Sequence, residues 1–254
     1  MSDPNSHGDF AASPSVDIDV PDCALAIGAH PDDIEFGCGG TLAKWALAGC
    51  RIHHFVCTDG SKGTWDPLRR REDLVAERRA EQIEASKILG GEGRVTFGGW
   101  VDGELQCSLV ERSAVAREIR TVKPQVVLAH DPWKRYRLHP DHRNAGFLAT
   151  DGIVAARDPL FFPEHGLSPH RPTRLLLWEA DAPDHLETIS EVEGVKLQAL
   201  LAHRSQFRST MGIDDAEEED TVAQFAGRMR QRHAEIGARF GLAAAETFKV
   251  IDRL

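Results

Sequence analysis

The sequence lacks the features that mark membrane, secreted and nucleic-acid-binding proteins. No apolar run approaches the roughly 18 residues of a membrane span, and the N-terminus has no basic segment followed by an apolar one. Positive charge is not in excess, since 30 Lys and Arg stand against 40 Asp and Glu, for a net charge of −10. We therefore expect a cytoplasmic protein that binds neither membranes nor nucleic acid.

Cysteine is also sparse, and its spacing has no pattern. The five cysteines form no Cys-x-x-Cys pair and lie at Cys23, Cys38, Cys50, Cys57 and Cys107. This spacing excludes a disulfide framework and favours reduced, buried thiols in a cytoplasmic protein. Although Cys38 follows a candidate site, a lone cysteine between glycines is expected to pack rather than react.

The length and composition fit one α/β domain. The 254 residues are 41% hydrophobic and 28% charged, which is ordinary for a globular protein. Residues 1–21 are rich in Ser, Asp and Pro and are expected to form a flexible leader, followed by a single domain over residues 22–254. Alternating strands and helices predict a Rossmann-like open sheet, mostly parallel, with helices on both faces.

Hydrophobic periodicity and breaker residues predict the elements of this sheet. Strands are expected at 24–29, 51–57, 94–97, 125–129, 174–178 and 185–189. Helices are expected at 41–48, 74–89, 110–122, 142–156, 195–203 and 221–240. The segment 205–219 between the last two helices is predicted to be a linker that ends in an acidic, solvated run.

A candidate site follows the first predicted strand. His30-Pro31-Asp32-Asp33 comes directly after the apolar run Leu25–Ala29, and ligands bind at the carboxyl ends of strands in open α/β sheets. Taken alone, the motif is equally compatible with a capped turn, because Asp often bonds to the backbone there. The choice depends on a second motif.

That second motif is His139-Pro140-Asp141-His142, which again follows a predicted strand, at 125–129. Two His-Pro-Asp segments that both follow strands are poorly explained as unrelated turns. Together they offer imidazole and carboxylate groups, the ligands that zinc accepts in proteins. The sequence therefore predicts a metal site at the carboxyl ends of the two strands.

The paired motifs resemble the PIG-L/LmbE family of zinc-dependent N-deacetylases. The resemblance extends roughly from Cys23 to Gln206. It implies a zinc site, with another divalent metal also compatible, whose ligands are His30, Asp33 and His142. It also implies a hydrolase that removes an N-acetyl group from an amino sugar or an amino-sugar conjugate.

The resemblance further implies catalytic roles for Asp32, His139 and Asp141. Asp32 is the expected general base, which takes a proton from the attacking water. The departing amine needs a proton, which either Asp32 returns or His139 supplies. His139 is expected to be held in one tautomer by Asp141, and in its charged form it would instead stabilise the oxyanion.

Three substrate contacts are also implied by the resemblance. Arg78 matches the arginine of an Arg-x-x-Glu pattern in the family, and Asp59 lies in a loop that the family uses near the substrate. Some members place a tyrosine two residues before the first histidine of the second motif, as an oxyanion donor. This chain has Arg137 there, with Tyr136 one residue earlier, so Tyr136 is the candidate donor.

Several alternatives remain open. An amidase that acts on a thiol-sugar conjugate is closely related chemistry. A nucleotide-binding Rossmann protein is suggested by Gly37, Gly39 and Gly40, but their spacing does not give Gly-x-Gly-x-x-Gly. A non-catalytic metal-binding protein is the third class. The expected partner is a small N-acetylated amino sugar, and a homo-oligomer is compatible with the sequence.

Overall fold

The structure, a computed structural model, describes residues 13–213 and 219–254 of the 254-residue chain. The strands are β1 (Ser15–Val16), β2 (Cys23–Gly28), β3 (Arg51–Thr58), β4 (Val95–Trp100), β5 (Val126–His130), β6 (Arg174–Trp178), β7 (His185–Thr188) and β8 (Ala245–Ile251). The α-helices are α1 (Asp33–Leu47), α2 (Arg71–Ile88), α3 (Leu109–Val122), α4 (Pro140–Arg157), α5 (Glu193–Leu201) and α6 (Glu219–Ala238).

Across these described residues the strands form one sheet, in the order β1-β7-β8-β6-β5-β2-β3-β4. β8 is antiparallel to β6 and β7, and the other strand pairs are parallel. The predicted α/β fold with a mostly parallel open sheet is confirmed. From β2 the chain moves outward to β3 and β4 and then returns to the other side of β2 as β5. Such a reversal leaves a ligand-binding crevice at the carboxyl ends of the strands.

Strand β2 buries apolar side chains on both faces of the sheet because successive residues point in opposite directions. Leu25 and Ile27 lie in the core layer that includes Ile119 of α3. Ala24 lies in the opposite layer, which includes Leu42 of α1. The predicted packing of helices on both faces is thus confirmed, and it fixes β2 at the centre of the fold.

Helix α1 begins eight residues earlier than predicted, at Asp33 rather than at Thr41. Its backbone is non-helical at Cys38, where φ is −148°. After this kink the helix restarts, and the carboxylate of Glu246 accepts hydrogen bonds from the backbone N–H groups of Gly40 (2.9 Å) and Thr41 (2.8 Å). The glycine-rich stretch before Thr41 is therefore part of a kinked helix, whose second half is capped by a residue that is distant in sequence.

The N-terminal segment is partly incorporated into the sheet. Ser15 and Val16 pair with β7, and the Asp17 carboxylate accepts a 2.8 Å hydrogen bond from the backbone N–H of Thr188. The prediction of a flexible leader through residue 21 is wrong for this stretch, because β7 satisfies its backbone groups. The leader residues 1–12 lie outside the described residues.

The C-terminal part differs from the prediction in two ways. Strand β8, which follows α6, was not predicted and inserts between β6 and β7. The predicted linker 205–219 begins with a 3₁₀ turn at Arg204–Gln206 and a π-helical turn at Phe207–Met211. Its acidic run includes residues 214–218, which lie outside the described part of the chain.

The five cysteines are free, as predicted, and four of them are buried. Cys38 is fully buried in the core layer of α1, and this burial raises the pKa of its thiol well above the usual range. It therefore packs as an apolar residue. Within residues 13–213 and 219–254, none of the helices combines the length and apolarity needed to cross a bilayer.

A buried ion pair joins α5 to β8. The Nζ atom of Lys196 lies 2.6 Å from Oε1 of Glu246, and these side chains are 1% and 3% exposed. Removing one partner leaves an unpaired buried charge, so we expect Glu246→Gln to lower the free energy of unfolding by about 3–5 kcal/mol. Urea denaturation measures the change.

The matched control is Glu104→Gln, which breaks the exposed pair with Lys62. This control is expected to cost less than about 1 kcal/mol, because water screens both charges. Similar losses in the two variants would contradict the structural role given to Glu246.

Candidate active site

The first motif lies where β2 ends and α1 begins. The backbone N–H of His30 donates to Oδ2 of Asp33 at 2.7 Å, and the backbone N–H of Asp33 approaches the carbonyl of His30 at 3.4 Å. These bonds close a tight turn at Pro31, which places both side chains at the carboxyl end of the strand. His30 and Asp33 are 6% and 9% exposed, so the turn delivers two polar groups into a largely buried site.

The second motif opens α4 and reaches the same place because β5 lies beside β2. Nε2 of His142 is 3.4 Å from Oδ1 of Asp33, and Nδ1 of His30 is 3.2 Å from Oδ2 of Asp33. One nitrogen or oxygen atom from each of these three residues lies within 4.8 Å of the others. The structure thus brings together the three residues that the sequence predicts as metal ligands.

The donor set fits a divalent metal ion. Two imidazoles and a carboxylate are a set that zinc and neighbouring transition metals accept. The second ring nitrogen of His30, Nε2, lies 3.1 Å from Oδ1 of Asp102 and 3.1 Å from Oδ2 of Asp141. Carboxylates that accept from the far nitrogen orient a metal-binding imidazole.

The Asp141 carboxylate contacts His30 rather than His139, and the role of Asp141 toward His139 stays a prediction. In the described part of the chain no hydrogen bond joins this carboxylate to the His139 ring. His139 instead accepts a 3.3 Å hydrogen bond at Nδ1 from the backbone N–H of Asp141. The exposed His139 ring lies edge-on to His30, with centroids 4.6 Å apart, and stacks on His142 at 4.9 Å.

Asp32 is buried beside the predicted ligands in an unusual backbone conformation. Its φ of 91° lies in the left-handed region that non-glycine residues rarely adopt. One carboxyl oxygen lies 3.5 Å from Nη2 of Arg78. Burial outweighs the attraction of Arg78 and raises the pKa of Asp32 to about 6. A general base works best with a pKa near the working pH.

Two of the three predicted ligands, Asp33 and His142, have pKa shifts that favour the forms that bind a metal ion. Burial alone would raise the pKa of Asp33, but His142 and His130 hold it well below its ordinary value. Burial lowers the pKa of His142 to about 4. Burial alone would lower the pKa of His30, but hydrogen bonds to neighbouring carboxylates raise it well above its ordinary value. Asp33 is thus ionised and His142 neutral at pH 7, the forms that bind metal ions.

Residues at the ends of β5 and β6 complete the site and were missed from the sequence. Nε1 of Trp178 donates to Nδ1 of His130 at 2.9 Å, and Nε2 of His130 lies 3.3 Å from Oδ2 of Asp33. Glu179, whose carboxylate bonds to Arg137, lies 3.6 Å from Nδ1 of His130. The sequence could have indicated His130 and Trp178 only through their positions, because each ends a parallel strand beside the predicted site.

The predicted substrate contacts occupy three different settings. Arg78 is 2% exposed and donates to the carbonyls of Gly60 (2.8 Å) and Pro31 (2.6 Å). The Asp59 carboxylate accepts from backbone N–H groups of its own loop and of the loop after β4. Tyr136 is 87% exposed in the loop before α4, with a φ of 60°. Their contacts with substrate stay predictions.

One cavity extends from the motif residues toward β8 and α6. Asp32, Asp33 and His142 line one end, and the rings of Phe36 and Trp178 form part of its wall. The lining also includes the polar residues Lys196, His233 and Glu246 and the apolar residues Met229 and Ile236. Such a mixed lining suits a small ligand that has hydroxyl groups and an apolar face.

The glycines that suggested nucleotide binding lie inside α1. A Cβ atom at Gly37 would approach the Trp178 ring within 2.6 Å, and one at Gly40 would approach Ile189 within 2.7 Å. These glycines therefore permit close packing of the helix rather than a phosphate-binding loop. The turn before the helix presents Asp32 and Asp33, whose negative charges disfavour a pyrophosphate. The nucleotide-binding alternative is not supported by this arrangement.

The fold and the histidine–carboxylate cluster are those of an α/β enzyme whose active site lies at the carboxyl ends of the parallel strands. Residues 25–153 match the PIG-L family, described as GlcNAc-PI de-N-acetylase. The diacetylchitobiose deacetylase of Thermococcus kodakarensis is 35% identical over 222 residues, or 85% of this chain and 82% of that protein. The chain belongs to the PIG-L family.

Two further relatives are similar to this chain. The 1D-myo-inositol 2-acetamido-2-deoxy-alpha-D-glucopyranoside deacetylase of Streptomyces avermitilis is 31% identical over 173 residues, which cover 58% of each protein. The solved N,N'-diacetylchitobiose deacetylase of Pyrococcus horikoshii has a TM-score of 0.81 and 30% identity, over 91% of this chain and 84% of that one. Both relatives are deacetylases of N-acetylated sugars by name.

Proposed function

We propose that this protein is a metal-dependent hydrolase that removes the N-acetyl group from an amino sugar or an amino-sugar conjugate. The observation that carries the proposal is the pair of adjacent aspartates. Asp33 faces the two histidines of the ligand group, whereas Asp32 lines the same cavity and contacts Arg78 instead. A site that only stored metal would have no need of a second carboxyl group at this position.

The residues that would hold the metal are His30, Asp33 and His142, with zinc the metal that this donor set favours. A bound metal of this kind polarises a carbonyl oxygen and lowers the pKa of water toward 7. His30 is oriented for this role by Asp102 and Asp141, whose carboxylates accept from its far nitrogen.

Asp32 is the proposed general base. Its carboxyl group accepts a proton from the water that attacks the acetyl carbonyl, and its raised pKa lets it hold that proton near neutral pH. The same group then returns the proton to the departing amine. Partial desolvation of the His139 ring lowers its pKa, so a neutral His139 is better suited to contact the carbonyl oxygen than to supply the proton.

The proposed substrate is small and contains N-acetylglucosamine. The names of the Thermococcus and Streptomyces relatives describe deacetylation of such sugars. The lining of the cavity combines the rings of Phe36 and Trp178 with polar side chains, which suits a sugar. Asp59 and Tyr136 remain the proposed substrate contacts, whereas Arg78 is 2% exposed, donates to the carbonyls of Gly60 and Pro31, and is assigned no contact with substrate. A cytoplasmic location agrees with the free cysteines, and a homo-oligomer remains compatible with the fold.

A substrate screen tests this proposal. The purified protein is incubated with N-acetylglucosamine, N,N'-diacetylchitobiose, N-acetylglucosaminyl-inositol and an N-acylated thiol-sugar conjugate, and free amine and acetate are measured. We expect equal amounts of amine and acetate from at least one acetylated sugar. Cleavage of the thiol-sugar amide without acetate release would identify an amidase. Metal-loaded protein that cleaves none of the four would contradict the proposal.

A further inference from the structure

Helix α2 holds the peptide unit between Pro31 and Asp32 at both of its polar atoms. Nη2 of Arg78 donates to the carbonyl of Pro31 at 2.6 Å. Oε1 of Gln82 accepts from the backbone N–H of Asp32 at 3.0 Å. Arg78 and Gln82 are four residues apart and therefore lie on one face of the helix. The orientation of this peptide plane is thus fixed by two side chains of a single rigid element.

This orientation matters because Asp32 has a φ of 91° and a ψ of −27°. An aspartate pays a steric penalty in the left-handed region, so the conformation persists only when surrounding contacts impose it. The orientation of the preceding peptide plane is coupled to φ of Asp32, and φ directs its side chain. With this φ, the Asp32 carboxyl group lines the cavity beside Asp33.

Gln82 is itself oriented by a buried charge. Its Nε2 donates to Oε1 of Glu35 at 2.7 Å, which leaves Oε1 of the amide to face Asp32. The other carboxylate oxygen of Glu35 lies 3.3 Å from Nε2 of His203. Gln82, Glu35 and His203 are all fully buried, and none of them belongs to the predicted ligand group. An apolar side chain would fill the same volume, so the hydrogen bonds are what the amide adds.

We propose that Gln82, oriented by Glu35 and acting together with Arg78, is a positioning residue that sets the Asp32 carboxyl group for proton transfer. This inference rests on the proposed function, since it needs Asp32 to be the general base. It assigns Gln82 no contact with substrate or metal. A residue that positions a reacting group changes the rate of the chemical step and leaves substrate binding and metal content unchanged.

The test is Gln82→Met, which keeps the chain length and removes the hydrogen-bonding amide. We expect kcat for the best substrate of the screen to fall by about 10–100-fold, because small displacements of a catalytic group have effects of this size. KM and the metal content per chain are expected to match those of the wild type. The matched control is Ser86→Ala, one turn along α2. Ser86 is fully buried and, among the described residues, its hydroxyl has no partner.

A rescue experiment separates positioning from general packing. Gln82→Glu alone places a carboxylate against that of Glu35, and we expect it to lower kcat as much as Gln82→Met does. The double variant Gln82→Glu, Glu35→Gln exchanges the acid and the amide. It restores an acceptor for the N–H of Asp32 and a hydrogen bond between positions 82 and 35, and it is expected to recover most of the lost kcat. If Gln82→Met does not fold, the kcat of the double variant relative to that of Gln82→Glu tests the proposal by itself.

The other end of the peptide unit gives an independent comparison. Under this proposal Arg78→Met lowers kcat with little change in KM, whereas a substrate contact at Arg78 would raise KM. A kcat for Gln82→Met equal to that of Ser86→Ala would overturn the proposal, as would loss of metal or a double variant with a kcat no higher than that of Gln82→Glu. A wild-type protein without activity on any acetylated sugar would instead overturn the proposed function, so the two failures are distinguishable.

Discussion

Replacing Asp32 with asparagine is expected to leave the metal bound and to lower kcat by about 10²–10⁴-fold, the usual contribution of a general base. The substitution keeps the volume and removes the group that accepts the proton. Asparagine also tolerates the left-handed region, which Asp32 occupies with a φ of 91°, so the turn should survive. The measurements are steady-state deacetylation kinetics and the metal content of the same preparation.

Added zinc is not expected to restore activity to Asp32→Asn, because the three ligands are intact. A variant that loses its metal in proportion to its activity would show that Asp32 is a ligand. A variant with near wild-type kcat would show that the proton is taken by another group. Either result would remove Asp32 from its proposed role.

Replacing Asp33 with asparagine is expected to have the opposite signature. Asp33 is the anionic member of the proposed ligand group and lies 3.2 Å from His30 and 3.4 Å from His142. Its loss is expected to weaken metal affinity by more than the roughly 10–100-fold typical of residues that only support a ligand. Activity should fall with metal content and return in part when zinc is added. Equilibrium dialysis against zinc, followed by activity assays, measures both quantities.

The comparison of the two asparagine variants is more informative than either alone. They are adjacent, both nearly isosteric with the native residue, and both lose one negative charge. If Asp33→Asn kept its metal and Asp32→Asn lost it, the assignments of ligand and base would be exchanged. If both stayed active, the reaction would take place elsewhere in the protein.

The sequence was most informative where chemistry and position coincide in a short stretch. His30 and Asp33 are separated by two residues, and the first motif directly follows an apolar strand, whereas the second follows β5 after the segment 131–138. Parallel strands place their carboxyl ends at one edge, so the meeting of His142 with Asp33 was predictable once the sheet was predicted. The family resemblance added roles for individual residues, which the spacing alone did not supply.

The missed parts of the site come from separate elements that only the tertiary fold brings together. Gln82, for example, comes from α2 and belongs to no motif. His130 and Trp178 each end a strand and lie outside the two His-Pro-Asp motifs. Such residues can be recognised as part of the site only from their position relative to β2, and that position is known only once the strand order of the sheet is known.

The errors in the fold have similar physical causes. The predicted helix begins at Thr41 because the glycines just before it, Gly37, Gly39 and Gly40, disfavour a helix. In the structure, Glu246, about 200 residues later, caps the helix where it restarts after the kink. β1 has two residues and is too short to produce a periodic pattern. β8 returns to the sheet after α6 and pairs antiparallel, which a strictly alternating βαβ pattern does not anticipate.

The most direct test of the proposed function is to measure acetate release from N,N'-diacetylchitobiose at three stages. The stages are the protein as purified, the protein after chelation of its metal, and the protein after zinc is returned. Metal content is measured at each stage, and the matched metal-bound control is Asp32→Asn. We predict that activity disappears with the metal and returns at about one zinc per chain, the stoichiometry of a single catalytic site. A metal-free protein that releases acetate at its original rate would contradict a metal-dependent deacetylase built on His30, Asp33 and His142.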